Sequence, residues 1–359
     1  METQSGIEYL HAQPEDSEEI YNFHLSYFGD IRSKYVWQWQ YGDFNPNQSV
    51  LVVGKVNKRV IATQGAMAIN LIINGERQIT GKNESLLIET EFRKKGVFTA
   101  FYDYAFDEYR KVEITCLWGF TKAIGPFKYV GFSFDRIIER AIFPISYSKA
   151  IKLSKVDTMP FFKGIIYRIG AVVLSLYARL SLSYYTCFLK VSQNVKIVSH
   201  LRRKNDIIDF FALLRQNCPD LIHIHMDSSF LDWRINNSPN EIECYYAYNQ
   251  DSLRGYLMVE KNKDYTEVLD FNFLTKEDGR SLISSLMNYL TKSKAEFVIY
   301  SGNKLNDQNN LVFELLFRYG FFRIKGPNGF VLKILNNVEN SKKFDLKNWY
   351  ITNLWNEGN

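Results

Sequence analysis

The chain has 359 residues, of which 46% are hydrophobic and 16% aromatic, so it can bury large cores and is unlike a disordered chain. Its length favours two compact units over one. The net charge of +5 is mild: it allows a small anionic ligand and lacks the concentrated basic surface of a nucleic-acid-binding protein.

The first 145 residues alternate between helical and extended patterns. Their N-terminal segment is polar and acidic, without the basic and apolar regions of a signal peptide, so a cytoplasmic location is expected. A helix is predicted over 8–30 and another over Phe98–Arg110, where aromatic residues recur at three- and four-residue spacing. Alternation and turn residues predict strands at 49–56, 59–75, 77–82, 85–92 and 114–121.

The longest apolar segment, residues 164–189, contains Arg168 and Arg179. Each arginine would be costly in the middle of a bilayer, and their spacing of three helical turns places both on one helix face. The pattern predicts an amphipathic helix that is not inserted in a membrane. A packed connector helix is the first interpretation, and a helix lying on a membrane surface is the alternative.

The half from about residue 200 repeats the plan of the first half. Trp233, Pro239 and Gly320-Phe321 are separated much as Trp39, Pro46 and Gly131-Phe132 are. This indicates an internal duplication in which each copy is an α+β unit with a mostly antiparallel sheet. The predicted organisation is one domain over 1–145, a helical connector over 146–196 and a second domain over 197–359.

A basic turn with one glycine lies between a predicted strand and the helix that begins near Phe98. Arg93, Lys94 and Lys95 precede Gly96, which allows close approach of the backbone to a ligand. The start of a helix presents unpaired N–H groups and partial positive charge, so the turn is suited to a pyrophosphate. The alternative is a solvated basic turn without a ligand.

The string from Arg93 to Phe98 resembles the acyl-CoA-binding motif of the GNAT acyltransferase superfamily, Arg-x-x-Gly-x-(Gly/Ala). Phe98 departs from the small residue at the sixth position, as in a subgroup of bacterial GNAT proteins of surface-polysaccharide synthesis with RGKGIF strings. The strings YVWQWQYGDFNPN, GPFKYVGF, FLDWRINNSP and NWYITNLWNEGN are similar to other parts of that subgroup. The resemblance covers residues 20–140 and 200–355 and implies two tandem GNAT-like domains, each a mostly antiparallel mixed sheet flanked by helices.

The resemblance implies that the pantetheine arm of CoA lies in a gap between the strands LLIETEF and ITCLWGFT. The main chain of Ile88 and Thr90 would pair with the arm as an added strand. The pyrophosphate would be held by Arg93, Lys94, Lys95, Gly96, Val97 and Phe98. The second copy has Glu277 and Asp278 where the anion would lie, so only the first copy is expected to bind CoA.

The implied reaction is direct attack of a neutral amine on the thioester. Glu84 and Glu89 are the carboxylates on the right strand to accept the proton, with Glu84 preferred; solvated carboxylates at a strand end are the alternative. Phe127 occupies the position at which many members have an acidic tyrosine, so a side-chain acid for the thiolate is not predicted.

Aromatic, basic and histidine side chains are the candidates for contact with the acceptor: Trp39, Tyr41, His223, His225, Trp233 and Arg234. Packing in the core is the alternative for the tryptophans, and packing or a loop position for the histidines. No metal site is predicted, because the histidines lack a third ligand and the four cysteines form no CxxC pair.

The resemblance implies an N-acyltransferase with acetyl-CoA or 3-hydroxybutanoyl-CoA as co-substrate. The implied acceptor is a nucleotide-linked amino sugar, a dTDP-3-amino-3,6-dideoxyhexose of O-antigen and lipopolysaccharide biosynthesis. No nucleic acid and no stable membrane insertion are expected, and the chain is expected to be a monomer or homodimer.

Two other functions stay open. A tandem-GNAT aminoacyl or peptidoglycan transferase would need a strongly basic groove for aminoacyl-tRNA, which the +5 charge does not favour. A non-catalytic tandem-GNAT scaffold is favoured by Phe127 and by the amphipathic segment at 164–189.

Overall fold

Two β-sheets with helices on their faces make up the fold, which is the predicted α+β architecture. The structure is a computed structural model. It describes residues 6–29, 34–41, 49–93, 96–145, 160–188, 196–199, 204–262, 265–292, 295–326, 328–335 and 344–355.

The described residues of the first half form seven strands and four helices, with short 3-10 turns between them. The strands are β1 (Glu8–His11), β2 (Val50–Val56), β3 (Arg59–Ile73), β4 (Glu76–Ile88), β5 (Cys116–Thr121), β6 (Ser133–Asp135) and β7 (Ile138–Pro144). The helices are α1 (Ser17–Phe28), α2 (Lys34–Tyr41), α3 (Val97–Lys111) and α4 (Ile124–Tyr129).

A long helix, α5 (Phe161–Phe188), connects this half to the second. The second half has the strands β8 (Lys196–Ser199), β9 (His223–Ile224), β10 (Glu241–Asn249), β11 (Ser252–Lys261), β12 (Tyr265–Phe273), β13 (Phe297–Asn303), β14 (Phe322–Lys325) and β15 (Gly329–Ile334). Its helices are α6 (Lys204–Asn217), α7 (Ser228–Leu231), α8 (Lys276–Lys292) and α9 (Asp307–Arg318), and a π-helical turn spans Asp232–Asn236.

Each sheet contains a strand from the other half of the chain. The first sheet has the order β1-β2-β3-β4-β5-β15-β6, with β9 also paired to β3. The second has the order β14-β7-β13-β12-β11-β10-β8. The late strand β15 therefore lies between β5 and β6, and the early strand β7 lies between β13 and β14. The domain bounds at 145 and 197 stay predictions, but the two sheets share strands across them.

Apolar clusters cover both faces of the first sheet. On one face, the buried residues of α3, among them Phe101, Ala105 and Tyr109, pack on Val52 and Ala66. Their four-residue spacing explains why this segment is a helix with one buried face. On the other face a larger cluster joins the sheet to the second half. The central strand β3 is consequently buried along nearly its whole length.

Two local predictions differ from the structure. Residues 8–11 form β1 and not the start of a helix, because they pair with β2. The strands expected at 77–82 and 85–92 are one strand, β4, which ends at Ile88 and is followed by a 3-10 turn over Thr90–Phe92. Within the described part of the chain, none of the helices combines the length and the apolar content that crossing a membrane requires.

Candidate functional site

The parallel strands β4 and β5 separate after a very short region of pairing. They are paired at Gly81–Leu117 and Lys82–Trp118. Beyond these positions β4 continues to Ile88, still paired with β3 on its other side, and β5 continues to Thr121, paired on its other side with β15 along its whole length. No described strand pairs with this edge of β4 beyond Lys82. We call the space between Asn83–Ile88 and the end of β5 the β4–β5 opening; it is the gap that the sequence resemblance implies.

A β-bulge lies in β4 at this opening. Ser85 and Leu86 both lie opposite Gln64 of β3, and Ser85 has a positive φ of 59°. The Thr63 hydroxyl donates a hydrogen bond of 2.8 Å to the Ser85 carbonyl oxygen, which holds the bulged backbone. A bulge bends its strand and increases the local twist. It therefore helps β4 to diverge from β5.

The N-terminus of α3 follows the end of β4. Gly96 is the residue before the helix, with φ 75°, and as a glycine it has no side chain with which to cap the helix. The space around Gly96 is open, since an added Cβ would meet no atom within 4 Å. The N–H of Ala100 donates to the Gly96 carbonyl oxygen at 3.2 Å, so the amides before it have no acceptor within the helix. Lys94 and Lys95 lie outside the described residues.

The main chain at the end of β4 is bonded to the protein itself. Arg93 Nε donates to the carbonyl oxygen of Ile88 at 2.7 Å, and the Arg93 guanidinium lies 6.0 Å from the Tyr27 ring. The Thr90 N–H donates to the Tyr27 hydroxyl at 3.2 Å. Thr90 lies in the 3-10 turn and not in the strand. Pairing of a ligand with the Ile88 carbonyl or with Thr90, as predicted, would require these bonds to open.

A buried tyrosine connects α3 to the point where the strands separate. The Tyr102 hydroxyl donates to Gln64 Oε1 at 2.9 Å, and Gln64 Nε2 donates to Asn83 Oδ1 at 2.7 Å. The Tyr102 side chain is fully buried, and this burial raises its pKa far above the ordinary value. Tyr102 is therefore neutral and acts as a hydrogen-bond donor. The Phe98 ring, one turn earlier, lies 4.9 Å from it.

The position expected for an acidic tyrosine carries no hydroxyl near the opening. Phe127 is buried in α4, with its ring 6.1 Å from that of Tyr102. Tyr129, two residues further on, is 78% exposed. A side-chain acid from α4 is therefore absent among the described residues at this point.

The two candidate carboxylates lie in different places. Glu84 Oε1 is 2.7 Å from Lys82 Nζ; the lysine side chain is 1% exposed, and that of Glu84 is 24% exposed. Both residues belong to β4 where it leaves β5. Glu89 lies beyond the strand, 2.8 Å from the half-exposed guanidinium of Arg59. The structure thus brings Glu84 to the opening and places Glu89 at its outer end.

Trp39 and Trp233 stack on each other between the two halves. Their rings are 4.6 Å apart at an angle of 17°, and both side chains are almost fully buried. Each indole N–H donates to the carbonyl oxygen of the other residue, at 3.1 Å from Trp39 and 2.8 Å from Trp233. These contacts correspond to packing of the two tryptophans in the core, which was the alternative to contact with an acceptor. They connect α2 to the π-helical turn.

Arg234 and Tyr41 belong to the same region. Arg234 is 1% exposed, and its Nη1 lies 3.3 Å from Glu260 Oε2. Its guanidinium also lies 5.8 Å from the ring of Trp39. The positive charge of Arg234 is thus compensated by the Glu260 carboxylate inside the protein. Tyr41 ends α2, and its side chain lies outside what the structure describes.

His223 is enclosed in the core. Its ring stacks on Phe211 at 4.6 Å, and its Nδ1 donates to the Ile224 carbonyl oxygen at 2.7 Å. Burial lowers the pKa of His223 to about 3, so the ring is neutral.

His225 lies just beyond β9 and is partly exposed, with its Nε2 3.8 Å from Asp227 Oδ2. Burial is the main cause that lowers its pKa. No group of three or more metal-ligating side chains occurs among the described residues.

The second half has a matching separation of parallel strands. β12 and β13 are paired from Tyr265–Phe297 to Val268–Tyr300 and not beyond. Residues 344–355, which we call the 344–355 segment, lie at this β12–β13 opening. Thr352 forms a bridge with Gly302, and Asn353 Nδ2 donates to the Val268 carbonyl oxygen at 3.0 Å. The chain itself thus bonds to both edges of the opening.

Buried polar contacts hold this segment. The Tyr350 hydroxyl donates to Asp270 Oδ1 at 2.6 Å, and the Tyr256 hydroxyl donates to Oδ2 at 2.8 Å. Asn303 Nδ2 donates to the Trp349 carbonyl oxygen at 2.8 Å. Trp349 is fully buried, 5.0 Å from the Phe330 ring of the first sheet.

The helix that follows β12 is capped, in contrast to α3. Asp278 Oδ2 accepts hydrogen bonds from the Thr275 N–H at 3.1 Å and from the Thr275 hydroxyl at 2.6 Å. A carboxylate of the chain therefore occupies the start of α8. The charge of Asp278, as the sequence indicates, is unfavourable for a bound anion.

Four residues at the β4–β5 opening were not among the predicted site residues: Gln64, Lys82, Asn83 and Tyr102. One signal was available in the sequence. The run Lys82-Asn83-Glu84-Ser85 places four consecutive polar residues in the middle of a central strand, directly before the apolar Leu86-Leu87-Ile88. The pairing of Lys82 with Glu84 follows from their positions two apart on one strand face.

No protein-family model matches the sequence, and no curated protein matches it. Solved structures do match. A conserved protein of unknown function from Enterococcus faecalis V583, described as a probable N-acyltransferase, has a TM-score of 0.62 at 10% identity, over 92% of this chain and 72% of its own. A GCN5-related N-acetyltransferase from Kribbella flavida has a TM-score of 0.61 at 12% sequence identity, over 92% of this chain and 72% of its own. A tandem GNAT protein from the clavulanic acid biosynthesis pathway has a TM-score of 0.56 at 14% sequence identity, over 92% of this chain and 99% of its own.

These likenesses concern the fold, which is that of tandem GNAT proteins. The predicted fold class is confirmed: two mixed sheets, flanked by helices, correspond to the two GNAT-like units along nearly the whole chain.

Proposed function

We propose that the chain is a GNAT-type N-acyltransferase with one acyl-CoA site, in the β4–β5 opening. The main support for this proposal is that the two halves differ at the opening between their parallel strands and at the start of the helix that follows. In the first, no described strand pairs with the edge of β4 beyond Lys82, and the helix that follows begins after Gly96, which has no side chain to cap it. In the second, the 344–355 segment bonds to both strands, and Thr275 and Asp278 cap the start of α8 reciprocally.

The residues at the first opening fit such a donor. The amides of Val97 and Phe98 and the partial positive charge of α3 are suited to a pyrophosphate. Gly96 leaves its approach open, since no atom lies where its side chain would be. Arg93, Lys94 and Lys95 add positive charge nearby. Beyond Lys82 no described strand pairs with the edge of β4 that faces β5, so an extended arm could lie along this edge in the manner of an added strand, with the Ile88 carbonyl excepted because it accepts from Arg93.

Acyl-CoA supplies a thioester, and the chain has to position an amine and accept its proton. We assign the proton to the Glu84 carboxylate, which is partly exposed at the opening. Lys82 Nζ, 2.7 Å away, holds this carboxylate in place at the opening. A main-chain N–H of β4 that donates to the developing oxyanion would be worth about 3 kcal/mol. Phe127 has no hydroxyl that could protonate the leaving thiolate, so we assign that protonation to water.

For the acceptor we propose the amine of a nucleotide-linked amino sugar such as a dTDP-3-amino-3,6-dideoxyhexose, with acetyl or 3-hydroxybutanoyl as the acyl group. The support is the resemblance of the turn at Arg93–Phe98 and of the YVWQWQYGDFNPN string to that GNAT subgroup. Trp39, Trp233 and Arg234 are too enclosed to reach an acceptor as the side chains lie. A cytoplasmic location fits these co-substrates.

A thiol-release assay tests the proposal. The full chain is incubated with acetyl-CoA or 3-hydroxybutanoyl-CoA and a panel of nucleotide-linked amino sugars, and each sugar is paired with its hydroxyl analogue as a control. We expect thiol release only with an amine. Binding of CoA without release on any amine would favour the non-catalytic scaffold, and acyl transfer from aminoacyl-tRNA without CoA affinity would favour the aminoacyl transferase.

A further inference from the structure

Helix α5 presents bulky apolar side chains to solvent. Gly164 and Ala171, two small residues, are the buried positions described on it. The outward side chains have these exposed fractions: Phe162 80%, Ile166 67%, Ile169 60%, Val173 57%, Leu176 55%, Leu180 71% and Tyr184 59%. Most surface helices do the reverse and turn their large apolar residues to the core.

The exposed residues form one continuous stripe. Their successive spacings of three and four residues place them on a single helix face, opposite Gly164 and Ala171. Further exposed apolar residues flank the stripe, among them Ile165, Val172 and Leu174. The apolar surface thus runs without interruption along the helix from Phe162 to Tyr184 and is contiguous, unlike the scattered single apolar residues of an ordinary surface. A surface of this kind marks an interaction site.

The charge around α5 indicates what covers it. Residues 151–205 contain ten lysines and arginines and one acidic residue, Asp157. This local excess is larger than the net charge of +5 for the whole chain, so the remainder is net negative. A broad apolar face flanked by basic residues is the pattern of a helix that lies in the headgroup region of an anionic bilayer.

A second copy of the chain fits this surface less well. A pair of helices buries a narrow seam, whereas the exposed apolar arc on α5 is broad. Pairing two copies would also bring two strongly cationic segments together, with no acidic residue between 158 and 205 to offset them.

We infer that α5 is a docking surface for an anionic lipid bilayer, on which its axis lies in the plane of the interface. At 28 residues the helix is about 42 Å long, and it would place the stripe from Phe162 to Tyr184 among the acyl chains. Lys163 and Arg168 on α5, together with the basic residues that precede and follow the helix in the sequence, would supply the positive charge for the headgroups. This inference is independent of the proposed acyl transfer.

Vesicle co-sedimentation of the full chain tests it. The probes are vesicles of phosphatidylcholine alone and vesicles in which phosphatidylglycerol replaces part of the phosphatidylcholine. We expect binding to the anionic vesicles that weakens with added salt, and little binding to the neutral ones. The double variant Ile166→Glu/Val173→Glu should reduce the partition coefficient by about tenfold or more, since it puts two carboxylates into the apolar stripe.

Leu305→Glu is the control, because Leu305 is an apolar residue that is 44% exposed and belongs to the turn between β13 and α9, not to α5. It should bind vesicles as the parent chain does. Equal binding by the double variant and the parent would overturn the inference. So would a parent chain that ignores vesicles but self-associates through α5, seen in sedimentation equilibrium as a dimer that the double variant loses.

Discussion

The Tyr350 hydroxyl donates a hydrogen bond of 2.6 Å to the buried carboxyl of Asp270, and this contact distinguishes the two halves. It fixes the 344–355 segment at the β12–β13 opening, where Thr352 and Asn353 bond to the two diverging strands. The β4–β5 opening of the first half has no described strand in that place. The two halves thus share an architecture but differ at their openings. The chain bonds to both strands of the β12–β13 opening, whereas no described strand lies in the β4–β5 opening.

The buried carboxyl predicts a pH dependence of stability. Burial raises the pKa of Asp270 to about 6, above its ordinary value of 3.8, so the folded state holds this proton more tightly than the unfolded state. Stability should therefore fall as the pH rises from about 4 to about 6, by about 1–3 kcal/mol from this group. When the free energy of unfolding is measured with urea across this pH range, the variant Asp270→Asn should lack the part of its pH dependence that comes from this group.

Asp209→Asn is the control for this measurement, because Asp209 is exposed on α6. It should keep the slope of the parent chain. A slope that is unchanged in Asp270→Asn would contradict the role given to this carboxyl.

Turnover should depend on Glu84 more than on Glu89. Glu84→Gln removes the proton acceptor and should lower kcat by about 100-fold, while the affinity for CoA changes little. Glu89→Gln should have the smaller effect, since Glu89 lies beyond the strand with Arg59. Glu91→Gln, which shares the contact with Arg59, is the control for that ion pair. A loss confined to Glu89→Gln would reverse the assignment.

The exchanged strands predict that the first half does not fold alone. In a fragment of residues 1–145, β15 would be missing from between β5 and β6, and β7 would have no sheet to join. The fragment should show no cooperative thermal transition by circular dichroism, whereas the full chain should unfold with both sheets together. A cooperative melt of the isolated fragment would contradict this expectation.

Local sequence patterns sufficed for much of the fold and for part of the site. The helix over Val97–Lys111 and the turn at Gly96 depend on residues that are neighbours in the chain, so spacing alone predicts them. Residues 8–11 were misjudged because four residues are too few to show a period, and their pairing with β2 decides their structure.

Long-range pairing could not be predicted in this way. Nothing local in β15 indicates that it joins the first sheet, and nothing in the 344–355 segment indicates that it crosses the β12–β13 opening. The stacking of Trp39 on Trp233 is similar, since 194 residues separate them in the chain. The polar run from Lys82 to Ser85 did carry a signal, because such residues inside a central strand require partners.

The central claim is a single donor site at the start of α3, and titration calorimetry of CoA binding tests it most directly. Gly96 has φ 75°, so Asn and Asp are the substitutions that tolerate its backbone best, and they differ in charge. We predict one CoA per chain for the parent, retained binding in Gly96→Asn, and a loss of at least about tenfold more in Gly96→Asp, whose carboxylate would face the pyrophosphate. Two sites per chain, or equal affinity in the two variants, would contradict the account.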